Sequence, residues 1–155
     1  MKVKIGLVAA MIIPAIMIAG CSAPPASQPG TPVNPPSKIN MTADYEDFQT
    51  NNNITESIVI SVSGTLEVSL FSNPTTGYQW GENANISDNT VMCQETHNYV
   101  APDSSGEPIV GAGGKDVWTF KSLKAGQTTI KMTYSRPWES DSSDGWTYTI
   151  NVTVK

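Results

Sequence analysis

The stretch Thr65-Leu66-Glu67-Val68-Ser69-Leu70-Phe71-Ser72-Asn73-Pro74-Thr75-Thr76-Gly77-Tyr78-Gln79-Trp80 decides how the rest of the chain is read. Thr65 to Leu70 alternates polar and apolar residues, the period-two pattern of a strand with one face buried. Tyr78-Gln79-Trp80 resumes the alternation with two aromatics. Between them, Asn73-Pro74-Thr75-Thr76-Gly77 is longer than a two-residue hairpin turn needs. Pro74 fixes one φ, and Gly77 permits a turn closed to other residues. The segment therefore predicts two strands joined by a stiff loop that holds two threonines in a defined projection.

The same period recurs outward from this stretch. Ile58 to Val62 precedes it, with a turn at Ser63-Gly64, and Val117 to Phe120 follows. Thr129 to Tyr134 comes after Ala125-Gly126. The last segment is the clearest: Trp146, Tyr148, Ile150, Val152 and Val154 fall on one face and Thr147, Thr149, Asn151 and Thr153 on the other. Weaker apolar segments lie at Ile86, at Val91-Met92-Cys93 and at Tyr99-Val100. After the amino-terminal twenty residues no window keeps helical spacing. Short alternating strands with frequent turns predict an all-β fold, an immunoglobulin-like β-sandwich over residues 54–155. The Cys-Trp-Cys spacing of antibody domains is missing, so the prediction concerns architecture only.

The amino end has a different composition. Lys2 and Lys4 precede an apolar run from Ile5 to Ile18, too short for a comfortable membrane span and ordered as a secretory signal. It ends Ile18-Ala19-Gly20-Cys21, which resembles the lipobox of prokaryotic lipoproteins. That resemblance implies a signal over 1–20, lipid on Cys21 and anchoring in the cell envelope, facing outward or into a periplasm. Residues 21–53 read as a flexible tether; six of the eleven prolines fall between Ser22 and Ile39. Met41 to Asn53, acidic and Asn-rich, is either more tether or an ordered lead-in to the domain.

Cleavage before Cys21 removes two of nine basic residues and leaves seven against fourteen acidic, a net of −7. Such a charge excludes nucleic acid as a partner and disfavours direct binding to an anionic bilayer. Lipidation of Cys21 leaves Cys93 without an intramolecular partner, so no disulfide is expected. Cys93 and His97 are then the only thiol and imidazole. A nucleophile pair needs contact, whereas four residues along a strand put them on one face about 13 Å apart. Two such ligands are too few for a structural zinc site, and no P-loop or GxSxG occurs. Neither catalysis, nor a metal, nor a cofactor is expected.

Three loops carry what specificity the chain has. They are Asn73-Pro74-Thr75-Thr76-Gly77-Tyr78, then Gly111-Ala112-Gly113-Gly114, then Arg136-Pro137-Trp138-Glu139. In a sandwich such loops can gather at one end on a rigid scaffold. Gly-rich backbone permits close approach, and Arg136 and Trp138 are residue types that dominate interface hot spots. Trp80, Trp118 and Trp146 sit at alternating strand positions and read as core; Trp138, beside Pro137, reads as exposed. Arg136 is also placed to pair with Glu139.

In order and spacing, NPTTGY with its following Trp, GAGG with its following aromatic pair, and YSRPWE resemble the three binding loops of the chagasin-like family. These are immunoglobulin-like inhibitors of papain-family cysteine proteases. The resemblance spans about Ile58 to Lys155 and implies a monomeric, reversible inhibitor. Asn73 to Tyr78 would be the wedge, with Thr75 and Thr76 entering the catalytic cleft. Gly111, Ala112, Gly113 and Gly114 would line one side, and Arg136, Pro137 and Trp138 the other. The chain departs from that pattern in the acidic segment Asp141 to Gly145 and the long stretch Tyr99 to Val110. The rival expectation is a surface immunoglobulin-like binding or adhesion module for carbohydrate or protein, which would need an aromatic platform on a sheet face.

Overall fold

The computed structural model describes residues 34–102, 111–139 and 145–155. The expected signal over 1–20, Cys21 and the expected tether up to residue 33 lie outside the described residues, as do 103–110 and 140–144. In chain order the elements are β1 (Lys38–Ala43), α1 (Tyr45–Thr50), β2 (Asn53–Ile60), β3 (Thr65–Ser72), β4 (Gln79–Trp80), β5 (Asn85–Ile86), β6 (Met92–Val100), β7 (Gly114–Ser122), β8 (Gly126–Ser135) and β9 (Trp146–Val154). One sheet runs β1-β3-β7-β6 and the other β2-β9-β8-β4, with β5 also pairing β8. The two close on each other as the immunoglobulin-like sandwich that the alternation predicts.

Alternation becomes burial without exception along β3: Leu66, Val68, Leu70 and Ser72 point inward and the residues between them are half-buried. From β7 come Trp118 and Phe120, from β8 Ile130, Met132 and Tyr134, and from β9 Tyr148, Ile150, Val152 and Val154. The buried Ser122 hydroxyl accepts from Gly64 N at 2.7 Å and donates to Ser61 O at 2.7 Å, closing the β2–β3 turn against the end of β7.

The fold starts earlier than the expected boundary at residue 54. β1 pairs in parallel with β3, from Lys38 opposite Thr65 to Ala43 opposite Leu70. Its alternating apolar residues, Ile39, Met41 and Ala43, pack on the core. The neighbouring prolines and asparagines hide that short pattern in the sequence. Between β1 and β2 the six residues of α1 place Phe48, fully buried, face to face with Trp146 at 4.7 Å between ring centroids. The Asp44 N–H donates to the Asp47 carboxylate at 2.8 Å and starts the helix. A single turn with one apolar anchor has no periodicity to detect, so only tertiary packing makes it a helix. Residues 38–53 are thus part of the domain and not tether. β2 likewise begins at Asn53 and runs parallel to β9 over its full length.

β6 also differs from expectation. The weak segments at Val91 to Cys93 and Tyr99-Val100 are the two ends of one nine-residue strand, interrupted by a bulge between Gln94 and Thr96. The bulge reverses the side-chain alternation. Cys93 faces outward opposite Lys121, whereas His97 faces inward opposite Trp118. The single face expected for the two residues is therefore wrong. His97 stacks on the Trp118 indole at 4.4 Å, and its Nε2 lies 2.6 Å from Asp116 Oδ1. That arrangement seals the sheet edge and involves no thiol.

The sandwich has two unlike poles. The chain joins the fold at one of them, where Pro36 O accepts from Ser61 N at 3.0 Å and Ser37 O from Thr65 N at 2.8 Å. The carboxyl end finishes there too, Lys155 N donating to Ile60 O at 3.0 Å. At the other pole β3 ends, β7 begins and β8 ends, with Ser72 paired to Gly114 and Gln79 to Ser135.

Two outcomes follow for stability. Phe48→Ala removes a fully buried ring from between the sheets and lowers the unfolding free energy by about 3–5 kcal/mol in denaturant titration; a loss below about 1 kcal/mol would mean that α1 is not docked. Tyr148, buried and beside the Glu56 and Asp47 carboxylates, has its hydroxyl pushed up to about 12 from 10.0. Its contribution is whole below pH 10, where neither state has ionised, and is lost as pH rises towards 12. The unfolding free energy therefore falls across that window, less steeply in Tyr148→Phe.

Candidate functional site

The loop between β3 and β4 is built on Asn73. Its side chain caps one turn of 3₁₀ helix, Pro74–Thr76, the Oδ1 accepting from Thr75 N at 3.3 Å and from the Thr75 hydroxyl at 2.6 Å. Pro74 at the first position of the turn loses nothing, since its missing N–H has no partner there in any case. Thr76 N and the Thr76 hydroxyl both donate to Asn73 O, at 3.1 and 2.7 Å. Gly77 closes the turn in the left-handed region at φ 83°, its N–H on Pro74 O at 3.0 Å. That conformation favours glycine over any residue with a Cβ. Pro74, Thr75 and Thr76 are left exposed as the crest of the loop.

The hydroxyl protons of both threonines are thus spent inside the turn. Outward they present methyl groups and oxygen lone pairs, a small uncharged surface with little to desolvate. The carbonyls of Asn73 and Pro74 are likewise engaged within the turn. The crest is a curled segment and offers no extended peptide bond to a nucleophile.

Asn73 also ties the loop to its surroundings. Its N–H donates to the Tyr134 hydroxyl at 3.0 Å, and its Nδ2 donates to Gly111 O at 3.0 Å. The second bond joins the first loop to the Gly-rich one. There, a Cβ on Gly113 would sit 2.2 Å from the Phe71 ring, and one on Gly114 would sit 2.3 Å from Val100 O. The glycines are needed because the loop lies flat against β3 and β6. Ala112 is half-buried and Gly111 exposed.

The third loop meets the first from the other side. The edge of the Trp138 indole lies against Gly77, where a Cβ would come within 2.9 Å of the ring. The Arg136 guanidinium sits 4.5 Å over the Tyr78 ring and pairs with Glu139 at 3.0 Å, as the sequence suggests. Pro137 and Trp138 are exposed, Trp138 at 69%. Trp80 and Trp118 are buried and Trp146 packs against the core, so Trp138 alone of the four stands outward at the pole.

All thirteen loop residues singled out in the sequence therefore lie at one pole, with the first loop between the other two. In the sequence, Tyr134 and Phe71 appear only as strand residues flanking the motifs, with no role of their own, and α1 does not appear; Tyr134 and Phe71 hold the loops from below, and α1 flanks them with Tyr45 and Glu46. Tyr134 opens the motif YSRPWE, but nothing in the motif shows that its hydroxyl reaches the first loop. For α1 the signal is the pair Asp44 and Asp47 enclosing an aromatic, short but recognisable.

Comparison with known proteins agrees with this geometry. A family model described as chagasin family peptidase inhibitor I42 matches residues 59–152. Chagasin of Trypanosoma cruzi is 33% identical over 95 residues, which cover 60% of this chain and 84% of that protein. Amoebiasin-1 of Entamoeba histolytica is 35% identical over 105 residues, 68% of this chain and 94% of that one. The crystal structure of the Entamoeba histolytica cysteine protease inhibitor EhICP2 superposes with a TM-score of 0.56 at 27% identity, covering 77% of this chain and 99% of that one. The chain belongs to the chagasin family of peptidase inhibitors. It is an inhibitor of cysteine proteases and not an enzyme.

Asn73→Asp separates the two tasks of that side chain. The acceptor that caps the turn survives, while the donor to Gly111 O is lost. Amide hydrogen exchange should leave the turn protected and speed exchange in the Gly-rich loop; equal loosening of both loops would show that the Asn73–Gly111 bond joins nothing.

Proposed function

We propose that this protein inhibits papain-family cysteine proteases reversibly and without a covalent step, by seating the three loops in and around the catalytic cleft. Thr75 and Thr76 form the wedge beside the protease's cysteine and histidine. Gly111 to Gly114 line one wall of the cleft through backbone contacts, and Arg136, Pro137 and Trp138 pack on the other. The observation that carries this reading is the cross-bracing of the loops before any partner arrives, through Asn73 to Gly111 and through Gly77 to Trp138. Loops already held in one arrangement lose little conformational freedom on binding. The interface class is roughly 1,600 Å² and includes very tight complexes. The rival adhesion reading is not favoured, since Trp138 stands in an end loop and not on a sheet face.

The lipid anchor belongs to the same proposal. Two acyl chains on Cys21 bury enough methylene to hold the protein at a membrane of the cell envelope. Residues 22 to 36, at about 3 Å each when extended, supply a reach of some tens of ångströms. The position of Pro36 and Ser37 at the pole away from the loops supports this reading, since a tether fixed there does not obstruct the wedge.

The test is titration of papain and a cathepsin L-like protease with residues 21–155 carrying Cys21→Ser in place of the lipid site. Inhibition reverses on dilution. Trp138→Ala weakens it by more than about tenfold through loss of an exposed aromatic anchor, and Thr76→Ala also weakens it, both with unchanged melting temperature. A folded protein that inhibits no papain-type enzyme would sink the reading.

A further inference from the structure

Beside the first loop lies a hollow of about 650 Å³ whose described lining includes none of Arg136 to Glu139. One wall is α1, through Tyr45, Glu46 and Gln49, and the opposite wall is Thr76, Tyr78 and Gly111. Its aromatic lining is completed by Phe71, Tyr134 and Trp146. α1 falls outside residues 59–152, so it is not part of what the family model matches.

We infer that this hollow is a fourth contact region of the inhibitor, and that it takes up a lysine or arginine side chain from the rim of the bound protease. The inference rests on the three-loop reading above. Continuity with the proposed interface is the first argument: Thr76 and Tyr78 of the wedge, and Gly111 of the Gly-rich loop, are at once walls of the hollow. Charge is the second. Among the described residues no lysine or arginine lines it, and Glu46 is the one carboxylate that does. The neighbouring acids are engaged elsewhere, Asp44 with Lys115 at 2.7 Å and Asp47 with the Asp44 N–H. Glu46 is exposed, with no side-chain partner among the described residues.

Aromatic chemistry is the third argument. Tyr78, Tyr134 and Trp146 are stacked on one another, so the rings left to meet a guest are those of Tyr45 and Phe71. Aromatic rings beside a carboxylate favour a guanidinium or ammonium over an aliphatic chain. A volume of this size suits a ligand-sized group rather than a single water.

The experiment compares Glu46→Gln, Glu46→Lys and Thr76→Arg in the chain 21–155 with Cys21→Ser, titrated against papain at low and high salt. Because Glu46 is exposed, its variants keep the fold. Glu46→Lys should weaken inhibition by about tenfold at low salt, Glu46→Gln less, and the differences should shrink as salt screens them. Full inhibition by Glu46→Lys together with loss in Thr76→Arg would overturn the fourth contact and leave the wedge intact. Unchanged inhibition by Thr76→Arg would instead overturn the wedge.

A protease-free measurement follows the Trp146 indole N–H by NMR while Nα-acetyl-arginine amide or Nα-acetyl-norleucine amide is added. A saturable shift with the arginine compound alone, lost in Glu46→Lys, supports the assignment. Equal shifts with both, or none with either, overturn it.

Discussion

The hydrogen bond from Asn73 N to the Tyr134 hydroxyl is the constraint on which the binding pole depends. Tyr134 stacks on Trp146 at 4.9 Å, and Trp146 stacks on Phe48 at 4.7 Å. A column of rings thus runs from helix α1 through the core to the base of the first loop. One hydrogen bond of this kind contributes only about 1 kcal/mol to stability. Its importance is positional, because it fixes the residue whose other atoms cap the 3₁₀ turn and hold Gly111. Displacing Asn73 would release the crest, the Gly-rich loop and the bridge between them together.

A protease inhibitor of this type must be bound tightly and not cleaved. Both demands have the same structural answer here. The 3₁₀ turn uses the Asn73 and Pro74 carbonyls, both threonine hydroxyls and the amides of Thr75, Thr76 and Gly77 internally, so its crest is stiff and presents no extended peptide bond. Trp138 and Arg136 then brace the turn on its open side without covering Thr75 and Thr76. Free energy that a flexible loop would lose in ordering on binding remains available for affinity.

Most of the sandwich was legible because alternation becomes burial strand by strand, and β3 and β9 need no other signal. Legibility failed where tertiary contacts override the local pattern. β1 is six residues beside a proline-rich run, α1 is a single turn held by Phe48, and the bulge at Gln94–Thr96 reverses a face without changing composition. In the site, the identity and order of the loops could be seen in NPTTGY, GAGG and RPW. Their cross-bonding could not, because an Asn side chain that reaches a backbone carbonyl 38 residues away leaves no mark on sequence spacing. Tyr134 was hidden for a related reason: it is an inward strand residue that happens to end beneath a loop.

The loops also draw on both sheets. The first passes from β3 in one sheet to β4 in the other, the second leads into β7, and the third leaves β8. Their relative placement is therefore set by how the sheets pack and not by either sheet alone. Phe48, Trp80 and Trp146 fill the interlayer space under the pole, so their packing holds the spacing between the two outer loops. At the opposite pole, backbone bonds at Pro36, Ser37 and Lys155 close the chain ends with no part in that spacing. The fold thereby keeps the pole where β1 begins and β9 ends apart from the pole of the three loops, whose geometry is held by an aromatic column.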